Sequence, residues 1–347
     1  MSLVNIQEKV GKFVGKNRTK QTERKDTVSN NIFWGFVGKE FTDYLSSWRI
    51  IILLGIILLT CIGSLYTAVS TISEALESYE DASQIGRNAY LFLQIFTISD
   101  GTLPSFVSFV SFLGPLLGIA LGFDAINGER SRGTLSRLMA QPIPRDYVIN
   151  AKFVAALLIN IILFFALGFL VMAFGILMLG ITPSWDEFLR VMSFIALIIV
   201  YIAFWLNLSI LFSVIFKQQA TSALSSIAIW LFYNVFFSIV VKLFTNSYLG
   251  NASTQGEYVS RYNAILNVYR FSPNYLFQEM TSVLLSPTTR SMSLITMEQA
   301  AGSLASPLKL QASLLLVWPQ ITGLIAATLI CFAIGYIVFT RQEIRAN

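Results

Sequence analysis

Val191-Met-Ser-Phe-Ile-Ala-Leu-Ile-Ile-Val-Tyr-Ile-Ala-Phe-Trp-Leu-Asn-Leu-Ser-Ile-Leu-Phe-Ser-Val-Ile215 contains no Asp, Glu, Lys or Arg. Crossing a hydrocarbon core takes about 20 predominantly apolar residues, so an uncharged run of this length reads as a transmembrane helix. Working outward, five more runs satisfy the same test: Ile50 to Ala68, Ser105 to Phe123, Phe153 to Leu179, Ser222 to Phe244 and Leu314 to Phe339. The sequence therefore predicts an all-α integral membrane protein with six transmembrane helices. The third run is longer than a perpendicular crossing needs and is expected to tilt. Composition agrees: the 347 residues are 55% hydrophobic and only 12% charged, against about 25% charged in soluble domains. That excludes a soluble globular domain, and with no low-complexity tract it excludes disorder. Many charges precede the first run, which is unlike the short basic leader of a signal peptide.

Six spans put both ends of the chain on one side. The segments before span one, between spans two and three, between four and five, and after six hold 17 of the 24 Lys and Arg residues. The positive-inside rule then predicts a multi-pass protein of the cell membrane with both termini cytoplasmic. The expected divisions are a basic tail and interfacial helix over 1–49, a six-span domain over 50–340, and a cytoplasmic tail over 341–347. Within the domain, external segments are expected at about 69–104 and 246–313, and a cytoplasmic loop at 124–152. The net charge of +5 belongs to one membrane face. No recognition motif accompanies it, so no nucleic-acid partner is expected, and the bilayer is the natural contact.

Ahead of span one, Phe33, Val37, Phe41, Tyr44 and Trp48 share one helical stripe, with Lys39, Glu40 and Asp43 opposite. This predicts an amphipathic interfacial helix, capped by Asn30 or Asn31, with Trp34 and Trp48 at headgroup depth. The first thirty residues carry Lys9, Lys12, Lys16, Arg18, Lys20, Arg24 and Lys25 beside Ile6, Val10, Phe13 and Val14. They read either as a basic amphipathic helix on an anionic leaflet or as a solvated tail.

The spans are as informative for what they lack. There is no histidine, and Cys61 and Cys331 both lie inside apolar runs, so metal, thiol and imidazole chemistry have no foothold. Lys242 is the only charge within a run, close enough to its outer end to snorkel. An ion-coupled transporter needs an acid or a broken helix at depth, and an intramembrane enzyme needs a catalytic pair. Neither is visible, so no enzyme is expected, and energy for transport would enter from another chain. In span two, Gly114, Gly118 and Gly122 recur every four residues and should let another helix approach closely. Ser105, Ser108 and Ser111 recur every three, and Pro115 should kink the helix between the two patterns. These serines, the amides of Asn160, Asn207, Asn234 and Gln320, and aromatics such as Phe236 read either as packing devices or as the lining of a translocation path.

Between spans two and three runs Asp124-Ala-Ile-Asn-Gly-Glu129-Arg130-Ser-Arg132-Gly133-Thr134-Leu135-Ser-Arg137-Leu138-Met139-Ala-Gln-Pro142-Ile-Pro144-Arg145, with Lys152 just beyond. Gly133 can break the helix leaving span two, Thr134 can cap a short new one, and Pro142 with Pro144 must stop it. The result is one or two turns presenting Leu135, Leu138 and Met139 on one face beside Arg137. With nothing in its own chain to bury that face, the helix is shaped for another protein's groove.

This set, Asp124, Gly128-Glu129-Arg130, Gly133-Thr134-Leu135, Leu138, Pro142, Arg145 and Lys152, resembles the coupling-helix region of type 2 ABC transporter permeases, the exporter superfamily. Within it, the likeness is closest to the permeases of multi-copper-enzyme and nitrous oxide reductase maturation. The resemblance implies two six-span permeases, here a homodimer, driven by two ATPase subunits that hold ATP and magnesium. It also implies that Glu129, Arg130, Gly133, Thr134, Leu135, Arg137 and Leu138 contact the ATPase, with Pro142 and Arg145 shaping the exit. The chain has no G-x-x-x-x-G-K-[ST] loop of its own; Gly11 to Asn17 has the wrong spacing. No cofactor or metal is therefore expected on this chain, and the ATPase should be a separate protein. Uncharged, aromatic-rich spans suit a hydrophobic or amphipathic cargo. The long external segments, with helices expected from Ser272-Pro273 and around 295–304, could gate the exit or dock an extracytoplasmic partner. The rival readings are an ion-coupled secondary transporter and a non-transporting membrane scaffold or sensor.

Overall fold

The computed structural model describes residues 32–78, 90–140, 144–180, 182–250, 254–287 and 308–342, which are almost wholly helical and contain no strand. Six of the described helices are long and apolar enough to cross a membrane. Helix α1 covers 32–45. Span one is α2 (Trp48–Ser78), followed by the short α3 (Leu91–Thr97). Span two, α4 (Phe106–Gly122), leads through a turn into α5 (Asn127–Ser131) and α6 (Thr134–Met139). Spans three and four are α7 (Arg145–Leu179) and α8 (Trp185–Ile215). Span five is α9 (Gln219–Leu231), a π-helical turn (Phe232–Phe236) and α10 (Phe237–Gly250). Then α11 (Gln255–Tyr269) and α12 (Pro273–Leu285) precede span six, α13 (Leu310–Arg341).

Helix α8 is the axis of the bundle. Of its most apolar stretch 72% is buried inside the chain, against 11% for spans five and six. Tyr201 and Trp205 are wholly enclosed. The glycine stripe of α4 packs on α8: a Cβ at Gly118 would stand 2.9 Å from the Ile202 carbonyl oxygen, and one at Gly122 2.8 Å from that of Leu206. Ser209 donates to the Ile119 carbonyl at 3.1 Å across the same seam. The small residues thus let two backbones touch, as their spacing predicted, and α4 and α8 form one locked pair.

Several helices outrun their apolar stretches. Helix α8 begins at Trp185, because Ser184 and Glu187 form a reciprocal capping box there. This carries Arg190 onto the helix, fully buried. Its guanidinium donates to Asp186 at 2.7 Å, the Leu284 carbonyl at 2.9 Å and Ser313 at 3.1 Å, joining α8, α12 and α13. Ser184→Ala is expected to cost about 1 kcal/mol, read as an earlier midpoint when the purified protein is unfolded by SDS in mixed micelles.

Helix α12 starts where expected: Ser272 accepts from the Tyr275 N–H, and Pro273 fits the first turn. Yet Phe277, Met280, Val283, Leu284 and Leu285 are all buried, so α12 belongs to the bundle and is not a peripheral cover. The helix expected around 295–304, the basic tail over 1–30 and the proposed Asn30/Asn31 cap lie outside the described residues.

Candidate functional site

One end of the bundle gathers α1, α5, α6 and the start of α7. Val37 of α1 is buried against Ala151 and Ala155 of α7, with Phe33, Phe41, Tyr44, Val154 and Leu158 around them. Helix α1 therefore docks on span three through its apolar stripe. Glu40 does not sit on the solvated side, as expected, but is 6% exposed. The reason is positional: Val37, Glu40, Phe41 and Tyr44 stand at i, i+3, i+4 and i+7, one face of a helix.

Glu40 is buried because it has a partner. The Lys152 ammonium, itself 5% exposed, donates to Glu40 Oε2 at 2.7 Å and lies 2.8 Å from Glu129 Oε1. One cation thus joins α1, α5 and α7. Buried charges persist only when paired and hydrogen-bonded, and this one has a carboxylate on each side. Arg49, at the start of α2, pairs with Asp124 at 2.7 Å and lies 5.0 Å over the Phe123 ring. Together with Lys39, Asp43 and Arg132 these side chains line a polar cleft of about 390 Å³. Burial lowers the affinity of Lys39 for its proton, but Glu40, Asp43 and Glu129 outweigh it and hold the ammonium above its ordinary pKa. Burial, then the charges of Glu40, Asp124 and Glu129, push the Tyr44 phenol well above its ordinary range. Tyr44 is therefore neutral at physiological pH.

Helix α5 and the turn before it are stitched to three spans. Ser213, near the end of α8, accepts from the backbone N–H groups of Ile126 at 2.9 Å and Asn127 at 3.2 Å. The Asn127 amide donates to the Gln218 carbonyl at 3.4 Å, and the Gln219 amide to Ser131 at 3.2 Å. Arg130 donates to the side-chain oxygen of Gln342 at 2.7 Å, whose amide in turn donates to the Val214 carbonyl at 3.1 Å. The end of span six is thus tied to α5 and to α8. Gln342 meets this segment directly and Glu40 meets it through Lys152, so the first and last described elements lie at one end of the bundle.

Gly133 adopts a left-handed φ of 68° and separates α5 from α6 as its place in the sequence suggested. The expectation for the next residues is corrected. Leu135 is 1% exposed and part of the main core, and Leu138 packs partly buried against that core. The apolar face of α6 is therefore satisfied within its own chain. It is Arg132, Gly133, Thr134 and Arg137 that are exposed. Thr134 is the first residue of α6 and not the cap before it, and its hydroxyl donates to the Glu129 carbonyl at 3.2 Å. Pro142 lies outside the described residues, and Arg145 opens α7.

The residues considered for a pathway divide. Ser105 caps α4 by accepting from the Ser108 N–H. Ser111 is buried and donates to Asn274 Oδ1 at 2.7 Å, where the Tyr201 hydroxyl also donates at 3.2 Å. Asn274 donates onward to Asn234 Oδ1 at 2.8 Å. Ser111 and Asn234 therefore belong to one polar network, whereas Phe236 is 51% exposed on the bundle's outer surface. Sequence reasoning passed over Lys152 and Glu40 as a pair, and Ser213, Tyr201 and Asn274 altogether. A carboxylate on the apolar stripe of α1 was the available signal for the first two; a serine or asparagine in an apolar run carries none.

Residues 34–344 match the model of the ABC-2 family transporter protein family. Two curated relatives are each named as a probable ABC transporter permease protein NosY. The one from Stutzerimonas stutzeri is 29% identical over 44% of this chain and 48% of its own length. That from Pseudomonas aeruginosa is 30% identical over 35% of this chain and 38% of its own length. The chain thus matches about half the length of these relatives or less, while the family match runs from α1 to beyond the last span. A match over 34–344 takes in all six apolar helices and the charged segment between spans two and three, and the chain belongs to the ABC-2 family of transporter proteins.

Proposed function

We propose that this chain is the membrane permease subunit of an ATP-driven exporter, working as a homodimer with two separate ATPase subunits that bind ATP and magnesium. Its charged end, with both termini, faces the cytoplasm; the chain itself performs no catalysis. The observation that carries this reading is the segment from Asn127 to Met139, anchored to spans four, five and six while Arg132, Thr134 and Arg137 stay exposed. A segment built this way passes force applied from outside into the bundle. ATP-driven closure of the ATPases would push it and switch a cavity lined by spans one, two and five between inward- and outward-open. The cargo is hydrophobic or amphipathic, in keeping with spans that are apolar and largely uncharged. The segments on the opposite face are available to an extracytoplasmic partner.

The test is co-expression with the proteins encoded by its genomic neighbours, any ABC ATPase among them included. The solubilised protein should retain such an ATPase and stimulate its ATP hydrolysis. Arg137→Glu, at an exposed position, should weaken that association about tenfold, or about 1.4 kcal/mol, without changing the permease's own stability. If no ATPase is retained and transport follows an ion gradient without ATP, the protein is a secondary transporter. If an ATPase is absent and nothing is transported, the scaffold reading takes its place.

A further inference from the structure

Span five is two helices with different attachments. Its first half, α9, packs on α8 and buries Ser222, Ser226 and Trp230, which recur every four residues. The Ser226 hydroxyl donates to Ser209 Oγ of α8 at 3.3 Å. Its second half, α10, buries only Val241 among the described side chains and packs instead on α11. Arg261 of α11 donates to the Tyr248 carbonyl of α10 at 2.6 Å and lies 5.2 Å over the Tyr248 ring. An apolar groove of about 720 Å³ has all its walls on α10 and α11, from Phe237 to Tyr248 and from Ala264 to Val268. The groove is thus a property of this hairpin and would travel with it.

The hairpin is hung at two places. One is the π-turn Phe232–Phe236, in which no residue is buried. A π-turn is an inserted residue in an α-helix, tolerated where something holds it and frequent where a helix must bend or change register. The other is the turn after Tyr269, where Arg270 chelates Glu279 of α12 at 3.0 and 2.7 Å. Between the two, Asn274 Nδ2 donates to Asn234 Oδ1 at 2.8 Å, while Asn234 Nδ2 caps the Trp230 carbonyl at 3.0 Å. Asn274 itself is held by Ser111 and Tyr201, one from each member of the locked pair α4 and α8. This amide contact therefore joins the rigid part of the bundle to the pivot of one of its two least buried spans.

We infer that the hairpin α10–α11 swings as a unit about the π-turn and the turn after Tyr269, and that the Asn274 to Asn234 hydrogen bond is the catch that holds it in the present position. Asn234 and Asn274 are positioning residues for this motion. The inference does not rest on an ATPase partner and is tested on the permease alone.

The experiment places pairs of spin labels on the full chain, with Cys61 and Cys331 replaced, in nanodiscs diluted with unlabelled protein. One pair, at Trp185 and Leu243, reports the hairpin against α8; the other, at Ile215 and Leu224, reports α9 against α8. All four positions are exposed. Wild type should give one narrow distance for each pair. Asn234→Leu should add a second, displaced population to the hairpin pair and leave the inner pair unchanged. Asn234→Asp, which keeps the acceptor for Asn274, should restore the single distance. Broadening of both pairs together would mean general loosening and overturn the proposal, as would no change in either. Should Asn234→Leu not fold, hydrogen exchange on wild type decides. Amides of α10 and α11 opening as one unit, separately from α9, support the swing; α10 exchanging with α9 overturns it.

Discussion

Lys152→Met should destabilise the protein by about 3–5 kcal/mol, the range for removing one partner of a buried ion pair. The cause is what the substitution leaves behind. Glu40 and Glu129, both largely buried, would face each other without the cation between them. Like charges so placed must take up a proton or separate, and separation pulls α1 away from α5. Neutralising all three should recover most of the loss, because Glu40→Gln and Glu129→Gln remove the charges that need Lys152. The measurement is SDS unfolding in mixed micelles for the single, double and triple variants, analysed as a cycle; neighbours sharing one network are expected to couple by about 0.5–3 kcal/mol. A single variant within about 1 kcal/mol of wild type, or a triple variant no better than Lys152→Met, would show that the cluster is solvated and does not bind the three helices together.

The membrane class with its six apolar helices, the close packing of span two and helix α1 were legible in the sequence because each rests on local pattern: a charge-free run, a four-residue glycine repeat, a 3.6-residue stripe. Gly133 and the Ser272-Pro273 start were legible for the same reason. What escaped reading depends on partners distant in the chain. Glu40 looked solvent-facing because its neighbours Lys39 and Asp43 are charged, and only Lys152, brought up by span three, makes its burial affordable. Leu135 looked like an outward plug because nothing within its own segment could cover it; the core that covers it comes from other helices. Arg190 lay just outside an apolar run, and only the capping box of α8 shows that the helix starts before it. The π-turn is invisible to hydropathy, since one inserted residue changes neither length nor composition enough to register.

Gly122→Leu is expected to be the most disruptive of the glycine-stripe substitutions, at about 3 kcal/mol or more, the upper range for overpacking. The size follows from what the new side chain meets. At Gly122 a Cβ would already stand 2.8 Å from the Leu206 carbonyl oxygen, 2.9 Å from Ser209 Cβ and 3.1 Å from the Ile210 nitrogen. Two of these are backbone atoms of the most buried helix in the bundle and cannot rotate away. The pair α4 and α8 would have to part, breaking the Ser209 to Ile119 hydrogen bond and loosening Ser213, one helical turn further on, from the N–H groups of Ile126 and Asn127. The segment that carries α5 and α6 would lose its anchor in the same event. Gly114 provides the contrast: its Cβ would meet side-chain atoms, Ile202 Cδ1 and Cγ1 at 3.0 and 3.1 Å and Val110 Cγ1 at 4.0 Å, and the isoleucine can change rotamer. Gly114→Ala should therefore cost about 1 kcal/mol or less, Gly118→Ala more, and Gly122→Leu most. SDS unfolding of the three variants gives the order directly. An equal loss at all three positions would mean that the stripe faces lipid or a second subunit, not the α8 backbone.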